Sequence, residues 1–362
     1  MTRRPGVRRR RTPRTAVVLA VFVALVAVGP LPAESLVPGG EQENASPRRG
    51  ALIVAPPLGE PGGIIRVFAH GDDGPVAVEL VDEDGGTVVH APAIEVRMTG
   101  AVTMRVYLIG VDSTRTPGAY RLRGVSAAGD TLFERSVEIA ASSFRAERIA
   151  LNRSLTSLRA DYDPRKVEQT RILTELVLSR DPEAVYHFGE LRWPLPEDTR
   201  LTSLFGDRRT YIYADGSEAP AIHTGLDLAA PTGTPIRSSG RGIVRMATDR
   251  IVTGKTVVIE HLPGVFSLYY HLDEIDVEVG DVVDEERVLG TVGATGLATG
   301  AHLHWEIRVG GVPVSPAAAA SRAFVTGATR AADATVPAPD AGPNGGESGP
   351  DPQETDVGED AP

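Results

Sequence analysis

The chain has 362 residues, of which 41% are hydrophobic and 23% charged, so it is long enough for two or three domains and apolar enough to bury a core. Its formal net charge of −11 argues against a nucleic-acid-binding surface over the whole protein, and eight of its carboxylates lie in residues 331–362, which hold no Lys or Arg. The lack of cysteine excludes disulfides, thiolate metal sites and a cysteine nucleophile.

Residues 1–33 carry the pattern of an export signal. An arginine-rich segment precedes 13 consecutive apolar residues, Ala16–Val28, which Gly29 and Pro30 end. A membrane-spanning helix needs about 20 apolar residues, so the pattern favours a signal peptide, with an uncleaved signal anchor as the alternative. In both cases the rest of the chain is exported, and it meets the membrane only through this segment if the segment is uncleaved.

After a Pro- and Gly-rich linker at 34–50, residues 51–145 have a β pattern. Val76, Val78 and Leu80 alternate with other residues, and a turn at 82–86 leads into the next apolar stretch. Strands recurring about every 8–12 residues predict a β-sandwich-like domain. The lone histidines His70 and His90 are interpreted as structural.

Residues 146–192 are predicted to be a helical connector. Apolar residues at helical spacing predict a helix over 163–180, with Asp163 and Pro164 as its cap and first turn. His187, which follows this helix, is interpreted as a packing or solvent-facing residue.

Residues 193–318 are rich in glycine and β-forming residues, and they are predicted to form a second domain. Candidate strands cover 242–247, 256–262, 266–272 and 302–309. The remaining residues, 319–362, are rich in Ala, Pro, Gly, Asp and Glu, so they are predicted to be a disordered acidic tail.

Histidines concentrate in the second domain. Five of the eight lie between positions 223 and 304, namely His223, His261, His271, His302 and His304. Such a cluster in an exported, cysteine-free domain indicates a metal site with nitrogen and oxygen ligands, for which zinc is the best candidate.

The segment 302–306 reads His-Leu-His-Trp-Glu. In a strand His302, His304 and Glu306 share one face, and alternate residues lie about 6.6 Å apart along the strand. Two imidazoles at this spacing can both bind one ion or can flank it, and the spacing does not decide between these arrangements.

The segment 223–227 reads His-Thr-Gly-Leu-Asp. In an extended strand His223 and Asp227 would lie about 13 Å apart, too far to share an ion. The backbone is therefore expected to bend between them, and Gly225 is the residue that would permit the bend.

These motifs occur in an ordered series that resembles the lysostaphin/LytM-type zinc metallopeptidases, a family of peptidoglycan endopeptidases, over residues 193–318. The resemblance is carried by the segments Trp-Pro-Leu-Pro at 193–196, Ser-Leu-Phe-Gly-Asp-Arg at 203–208, 223–235, Tyr-Tyr-His-Leu at 269–272, Leu-Gly-Thr-Val-Gly at 289–293 and 300–307. It implies a compact antiparallel β fold with a groove floored by the metal.

Residue by residue, the resemblance makes His223, Asp227 and His304 ligands of Zn²⁺, and it makes His271 and His302 the catalytic histidines. It assigns no role to His261, which is interpreted as structural. Asp207 and Arg208 either line the groove or form a salt bridge that stabilises the fold locally. The segments 209–221 and 247–255 are expected to be groove loops.

The implied function is zinc-dependent hydrolysis of peptide bonds in peptidoglycan crosslinks, in the periplasm or cell envelope, with peptidoglycan peptide stems as the partner and no nucleic acid. The alternative is a catalytically silent relative that binds other wall hydrolases as an activator or scaffold. Whether the N-terminal β domain binds a partner, positions the enzyme or covers the groove as a pro-region stays open.

Overall fold

The computed structural model describes residues 52–55, 58–70, 74–97 and 103–325. The predicted signal segment, the linker at 34–50 and residues 326–362 of the predicted tail lie outside this part of the chain. Over the described residues the protein is mostly β, which confirms the predicted fold class. None of the described helices is long and apolar enough to cross a membrane.

The N-terminal region forms two sheets. Its strands are β1 Leu52–Ala55, β2 Leu58–Gly59, β3 Ile64–His70, β4 Ala77–Val81, β5 Thr87–Pro92, β6 Ile94–Arg97, β7 Thr103–Gly110, β8 Gly118–Val125 and β9 Thr131–Ile139. One sheet has the order β1-β3-β7-β6 and the other β2-β9-β8-β4-β5; all pairs are antiparallel except β2 with β9. Alternate apolar residues of both sheets, such as Val67, Leu80 and Leu122, meet in one core, which is a sandwich arrangement.

The first of these sheets is buried on both faces. Ile64, Phe68 and Val106 point away from the sandwich core and belong to the same apolar core as Phe205 and Val314 of the C-terminal region. The two regions are therefore joined by shared packing as well as by the connector.

The connector contains β10 Ala146–Ala150, α1 Arg153–Ala160 and α2 Pro164–Leu178. Helix α2 confirms the helix predicted over 163–180. Its N-cap Asp163 accepts a hydrogen bond from the backbone N–H of Arg165 at 2.8 Å. Val177 packs α2 against Phe266 and neighbouring apolar residues. Strand β10 and helix α1 were not expected.

The C-terminal region is built on a ten-stranded sheet. Its elements are β11 Arg200–Ser203, β12 Arg208–Ile212, β13 Glu218–Ile222, β14 Gly225–Ala229, β15 Pro235–Arg237, β16 Gly242–Arg250, β17 Gly254–Leu262, β18 Val265–Ile275, β19 Val282–Val283, β20 Val288–Val292, β21 Leu303–Val309, β22 Val312–Val314 and α3 Pro316–Ala320. The main path of the sheet is β11-β14-β21-β18-β17-β16-β19, with β15, β20 and β22 attached at its side.

A small separate sheet stands beside the large one. Strand β12 pairs with β13 antiparallel and with β10 of the connector parallel. The expected groove loop at 209–221 does line the groove through Arg209, Tyr211 and Ala221, but most of it is a hairpin closed by a turn at 213–217. The expected loop at 247–255 is likewise mostly the ends of β16 and β17.

The described chain remains ordered beyond the predicted domain end at 318. Ala319, Phe324 and Val325 are buried in the C-terminal core, and the backbone N–H of Val325 donates to the carbonyl of Phe188 at 3.0 Å. The prediction that the disordered tail begins at 319 is thus wrong for residues 319–325, because two large apolar side chains there find a place in the core.

Candidate metal centre

One groove of about 490 Å³ contains all five of the predicted site residues, His223, Asp227, His271, His302 and His304. Strands β14, β18 and β21 of the large sheet form its floor, and β10 and β12 of the small sheet form one wall. Strand pairing explains how residues far apart in sequence meet here, since Asp227 lies opposite His304 across β14 and β21.

His223 lies at a corner of the chain, between the end of β13 and the start of β14. The expected bend between His223 and Asp227 is therefore confirmed. The role expected for Gly225 differs, since its backbone is not in the left-handed region. A Cβ at this position would lie 2.4 Å from the carbonyl oxygen of Trp305, so glycine is needed for close approach of two strands.

Three donor atoms form a compact buried triangle. Nε2 of His223 lies 3.0 Å from Oδ1 of Asp227 and 3.0 Å from Nδ1 of His304, and the last two atoms are 2.9 Å apart. Tetrahedral zinc ligands at about 2.0–2.1 Å from the ion lie about 3.3 Å apart, so a few tenths of an ångström of expansion would admit the ion. The donor set and its spacing therefore fit a metal ion.

The surroundings of the two imidazoles also suit metal binding. Nδ1 of His223 donates to the carbonyl of Leu204 at 2.8 Å, because a carbonyl can only accept, and this leaves the Nε2 lone pair free. Nε2 of His304 faces Oε2 of Glu306 at 3.4 Å, so Nδ1 is the atom directed to the triangle. Glu306 also accepts from the hydroxyl of Thr224 at 2.9 Å, which holds the carboxylate in place.

The charges around the triangle favour a cation. Burial raises the pKa of Asp227, but the hydrogen bonds with His223 and His304 outweigh it and hold the pKa well below its usual value. Burial also raises the pKa of Glu306, yet Arg308 and the bond to His304 lower it to about 2. Burial lowers the pKa of His304, but Asp227 and Glu306 outweigh it and raise the pKa to about 9, so this site favours positive charge.

His271 stands on a strained part of strand β18. Its φ of 65° is the only positive value among the described residues other than glycine, and its N–H donates to the carbonyl of Thr253 at 2.9 Å. The Nδ1 atom donates to the carbonyl of Thr295 at 2.8 Å, so the other ring nitrogen, Nε2, is free in the neutral imidazole. Strain of this kind concentrates at functional sites. Burial, together with His302 and His304, lowers the pKa of His271 to about 3.

His302 lies beside His271, with 4.8 Å between the ring centroids. Its Nδ1 atom donates to the carbonyl of Gly300 at 2.8 Å, and its Nε2 atom lies 3.8 Å from Oδ1 of Asp227. His302 and His304 line the groove, and Glu306 lies on the same side of the strand beneath His304, whereas Leu303 and Trp305 are fully buried.

Sequence reasoning missed two groove residues beside the triangle, one that contacts it and one that holds the first in place. Arg209 donates to Oδ2 of Asp227 at 2.6 Å, and its Nε atom donates to Glu147 of β10 at 3.0 Å. Glu147 also accepts from the hydroxyl of Ser203 at 3.1 Å. Arg209 follows the Phe-Gly-Asp-Arg segment directly, but nothing in the sequence indicated that a connector residue would lie beside it.

The other candidates lie outside the groove. Asp207 is buried and pairs with Arg145 at 2.5 Å, whereas Arg208 stacks over Phe144 and donates to the carbonyl of Ser113 at 2.7 Å. Both residues therefore stabilise contacts with preceding segments rather than line the groove, and they do not pair with each other.

Two buried histidines also lie away from the groove. His261 is fully buried and bonded to the carbonyl of Arg241 and the hydroxyl of Ser267, and His187 contacts the carbonyl of Glu190 at 3.1 Å. These contacts agree with the structural interpretation of both.

Comparison with known proteins identifies the C-terminal region. The model of peptidase family M23 matches residues 221–316. The DD-carboxypeptidase/endopeptidase Mpg of Neisseria meningitidis serogroup B is 42% identical over 122 residues, which are 34% of this chain and 27% of Mpg. The peptidoglycan DD-endopeptidase ShyA of Vibrio cholerae is 38% identical over 124 residues, which are 34% of this chain and 28% of ShyA.

A crystal structure from Pseudomonas aeruginosa that is assigned to peptidase M23 is 27% identical and covers 74% of this chain and 95% of its own, with a TM-score of 0.49. The chain spans less than a third of the length of the two curated relatives. The family match lies inside the segment for which the motifs predicted a lysostaphin/LytM-type metallopeptidase, and that prediction is confirmed. Residues 221–316 of this chain are a domain of peptidase family M23.

Proposed function

We propose that the chain is an exported zinc-dependent endopeptidase that hydrolyses peptide bonds in the crosslinks of peptidoglycan, in the periplasm or cell envelope. The main support is a single arrangement: a buried His–Asp–His triangle and two further histidines share one groove. The names of the aligned relatives, which include peptidoglycan DD-endopeptidases, support the substrate class.

In this proposal His223, Asp227 and His304 hold the ion. When bound, zinc would supply Lewis-acid activation of the water nucleophile and of the peptide carbonyl. The triangle is well suited to zinc because imidazole and carboxylate are among its preferred ligands. Leu204 and Glu306 keep the two imidazoles in the tautomers that leave a lone pair for the ion.

His271 and His302 act as the proton carriers. Each donates Nδ1–H to a backbone carbonyl, so each neutral ring has Nε2 free to accept a proton from the attacking water. The proton is then returned to the leaving amine. While protonated, the imidazole also stabilises the oxyanion of the tetrahedral intermediate.

The alternative of a catalytically silent activator receives less support. Such a protein would need only a binding groove, whereas here all five predicted positions are occupied by the required residue types and face one another. Among the described residues, none up to 140 lines the groove, which gives no support to a pro-region that covers it.

The test uses the purified full-length chain incubated with peptidoglycan, with the released fragments identified by mass spectrometry. We expect fragments that a chelator abolishes and added zinc restores. His302→Ala should keep its metal and lose activity by about 10²–10⁴-fold, since a proton carrier is removed. His304→Ala should lose the metal itself.

His90→Ala, which changes an exposed histidine far from the groove, is the matched control and should leave cleavage and metal content unchanged. Normal metal content with no cleavage by the unmodified chain would favour the silent activator. Cleavage that survives in His302→Ala would remove that residue from the mechanism.

A further inference from the structure

The groove is lined in part by an arginine of the connector, a residue that lies outside the M23 domain in sequence. Arg159 lies near the end of helix α1, and its guanidinium group stacks 4.0 Å above the ring of Tyr211 on β12. The stack holds a long, flexible cation in one place, because a guanidinium ion is attracted to the face of an aromatic ring. Arg159 thus presents an ordered positive charge to the groove.

The other charges of the groove leave Arg159 without a partner. The charged lining residues are Glu147, Arg159, Arg200, Arg209 and Asp227. Arg209 uses both carboxylates, since it donates to Glu147 and to Asp227. Arg159 makes no hydrogen bond or ion pair with any residue that the structure describes, and its Nε atom is buried without a hydrogen-bond partner. This part of the groove is therefore positively charged.

The register of β12 relates Arg159 to the metal centre. Arg209 and Tyr211 are alternate residues of this strand and line the groove together, about 6.6 Å apart along it. Arg209 contacts the metal-ligand candidate Asp227, whereas Tyr211 carries Arg159. An extended peptide that runs along β12 with its reacting bond at the triangle would thus bring a residue two or three positions away to Arg159.

We propose that Arg159 binds a free carboxylate of the peptidoglycan peptide stem, two or three residues from the bond that is cleaved. This inference rests on the proposed function and adds a specificity-determining residue to it. Guanidinium recognises carboxylate through paired N–H···O bonds, and peptide stems carry free carboxylates that an amide would neutralise. A groove with an unpaired arginine at this distance selects the charged form of the stem.

The experiment compares two forms of one soluble crosslinked stem dimer, with its carboxyl groups free or converted to carboxamides. The unmodified full-length chain should show a KM about tenfold lower for the free form, as expected for a charge-assisted hydrogen bond, with kcat changed by less than about twofold. Arg159→Gln should lose this preference, so that its KM for both forms equals the KM of the unmodified chain for the amide. Arg159→Lys should keep part of it.

Arg153→Gln is the matched control, since it removes an exposed arginine of the same helix that does not line the groove. A preference retained in Arg159→Gln would overturn the proposal, and so would equal KM values of the unmodified chain for both forms. An equal fall of kcat on both substrates, with the preference intact, would also overturn it and would assign Arg159 a structural role. Cleavage of neither form by the unmodified chain would instead overturn the proposed function, and the inference with it.

Discussion

At the scale of single residues, the two oxygens of Asp227 have different tasks. Oδ1 faces the two imidazoles of the triangle, and Oδ2 accepts from Arg209. The contact with Asp227 places the Arg209 charge close to any bound metal ion. Because the Arg209 side chain is only 11% exposed, water screens this charge weakly, and it would repel the ion. Glu147 compensates that charge and fixes the guanidinium, so this connector residue positions Arg209 beside the candidate metal centre.

Glu147→Gln is therefore expected to weaken metal binding. The substitution leaves the Arg209 charge uncompensated and loosens the group that orients Asp227, and both effects act in the same direction. Loss of an outer partner of this kind costs about 10–100-fold in metal affinity. Competition titration with a chromogenic chelator measures the dissociation constant directly.

Glu218→Gln serves as the control for this variant. It removes the exposed ion pair between Glu218 of β13 and Arg148 of β10. This pair belongs to the same small sheet, but neither residue lines the groove. Metal affinity should be unchanged there. Equal dissociation constants for Glu147→Gln and the unmodified chain would contradict the positioning role.

His261 makes a second residue-scale prediction, which concerns pH. Burial, reinforced by His187, lowers the pKa of His261 to about 3, whereas an unfolded histidine titrates near 6.5. Between these values the unfolded chain binds a proton that the folded chain does not. The free energy of unfolding should therefore fall as the pH drops from about 6.5 towards 3, by up to about 1.4 kcal/mol per pH unit from this group.

Urea denaturation of the metal-free protein at several pH values tests this effect without interference from metal release. In His261→Gln the unfolding free energy should depend less steeply on pH between 6 and 4. The reduction should correspond to up to one bound proton, whatever the effect on absolute stability. His90→Gln, at an exposed histidine, should leave the slope unchanged. An unaltered slope in His261→Gln would show that the buried imidazole does not oppose protonation.

At the scale of elements, the sequence predicted the helices and strands that are marked by a local pattern of apolar and capping residues. Helix α2 has a capping Asp163, a proline in its first turn and a repeat of apolar residues, and it forms within two residues of the expected ends. The long strands β16, β17, β18 and β21 were predicted because they bury continuous or alternating apolar residues. The five residues that meet in the groove could be singled out because they stand in an ordered set of motifs.

The elements that were missed depend on distant partners. Strands β10 and β13 alternate between exposed and half-buried residues, and β12 is half-buried throughout, so none of the three has a fully buried face. They form because β10 pairs parallel with β12 across about 60 positions of sequence, which no local pattern reveals. The same pairing brings Glu147 to Arg209, so the missed strand and the missed site residues have one cause.

At the scale of the whole molecule, the N-terminal sandwich is fixed to the C-terminal region by shared packing. The sheet β1-β3-β7-β6 contributes side chains both to the sandwich core and to the core that contains Phe205 and Val314. Arg66 of β3 is buried between the regions and donates to the carbonyl of Arg322 at 3.1 Å. None of the described residues before Glu147 lines the groove, so the described part of the sandwich contacts the C-terminal region outside the groove.

The segment 322–325 completes this shared core. Phe324 is fully buried and lies 5.8 Å beneath the guanidinium of Arg66, and its N–H donates to the carbonyl of Gly189 at 3.3 Å. A chain ending at Ser321 should therefore lose about 3–5 kcal/mol of unfolding free energy, the usual cost of deleting a buried phenylalanine, whereas a chain ending at Val325 should not. Denaturant unfolding of both compares them directly, and Phe324→Ala in the full chain isolates the side chain. Equal stability of the two shortened chains would mean that residues 322–325 add nothing to the stability of the core.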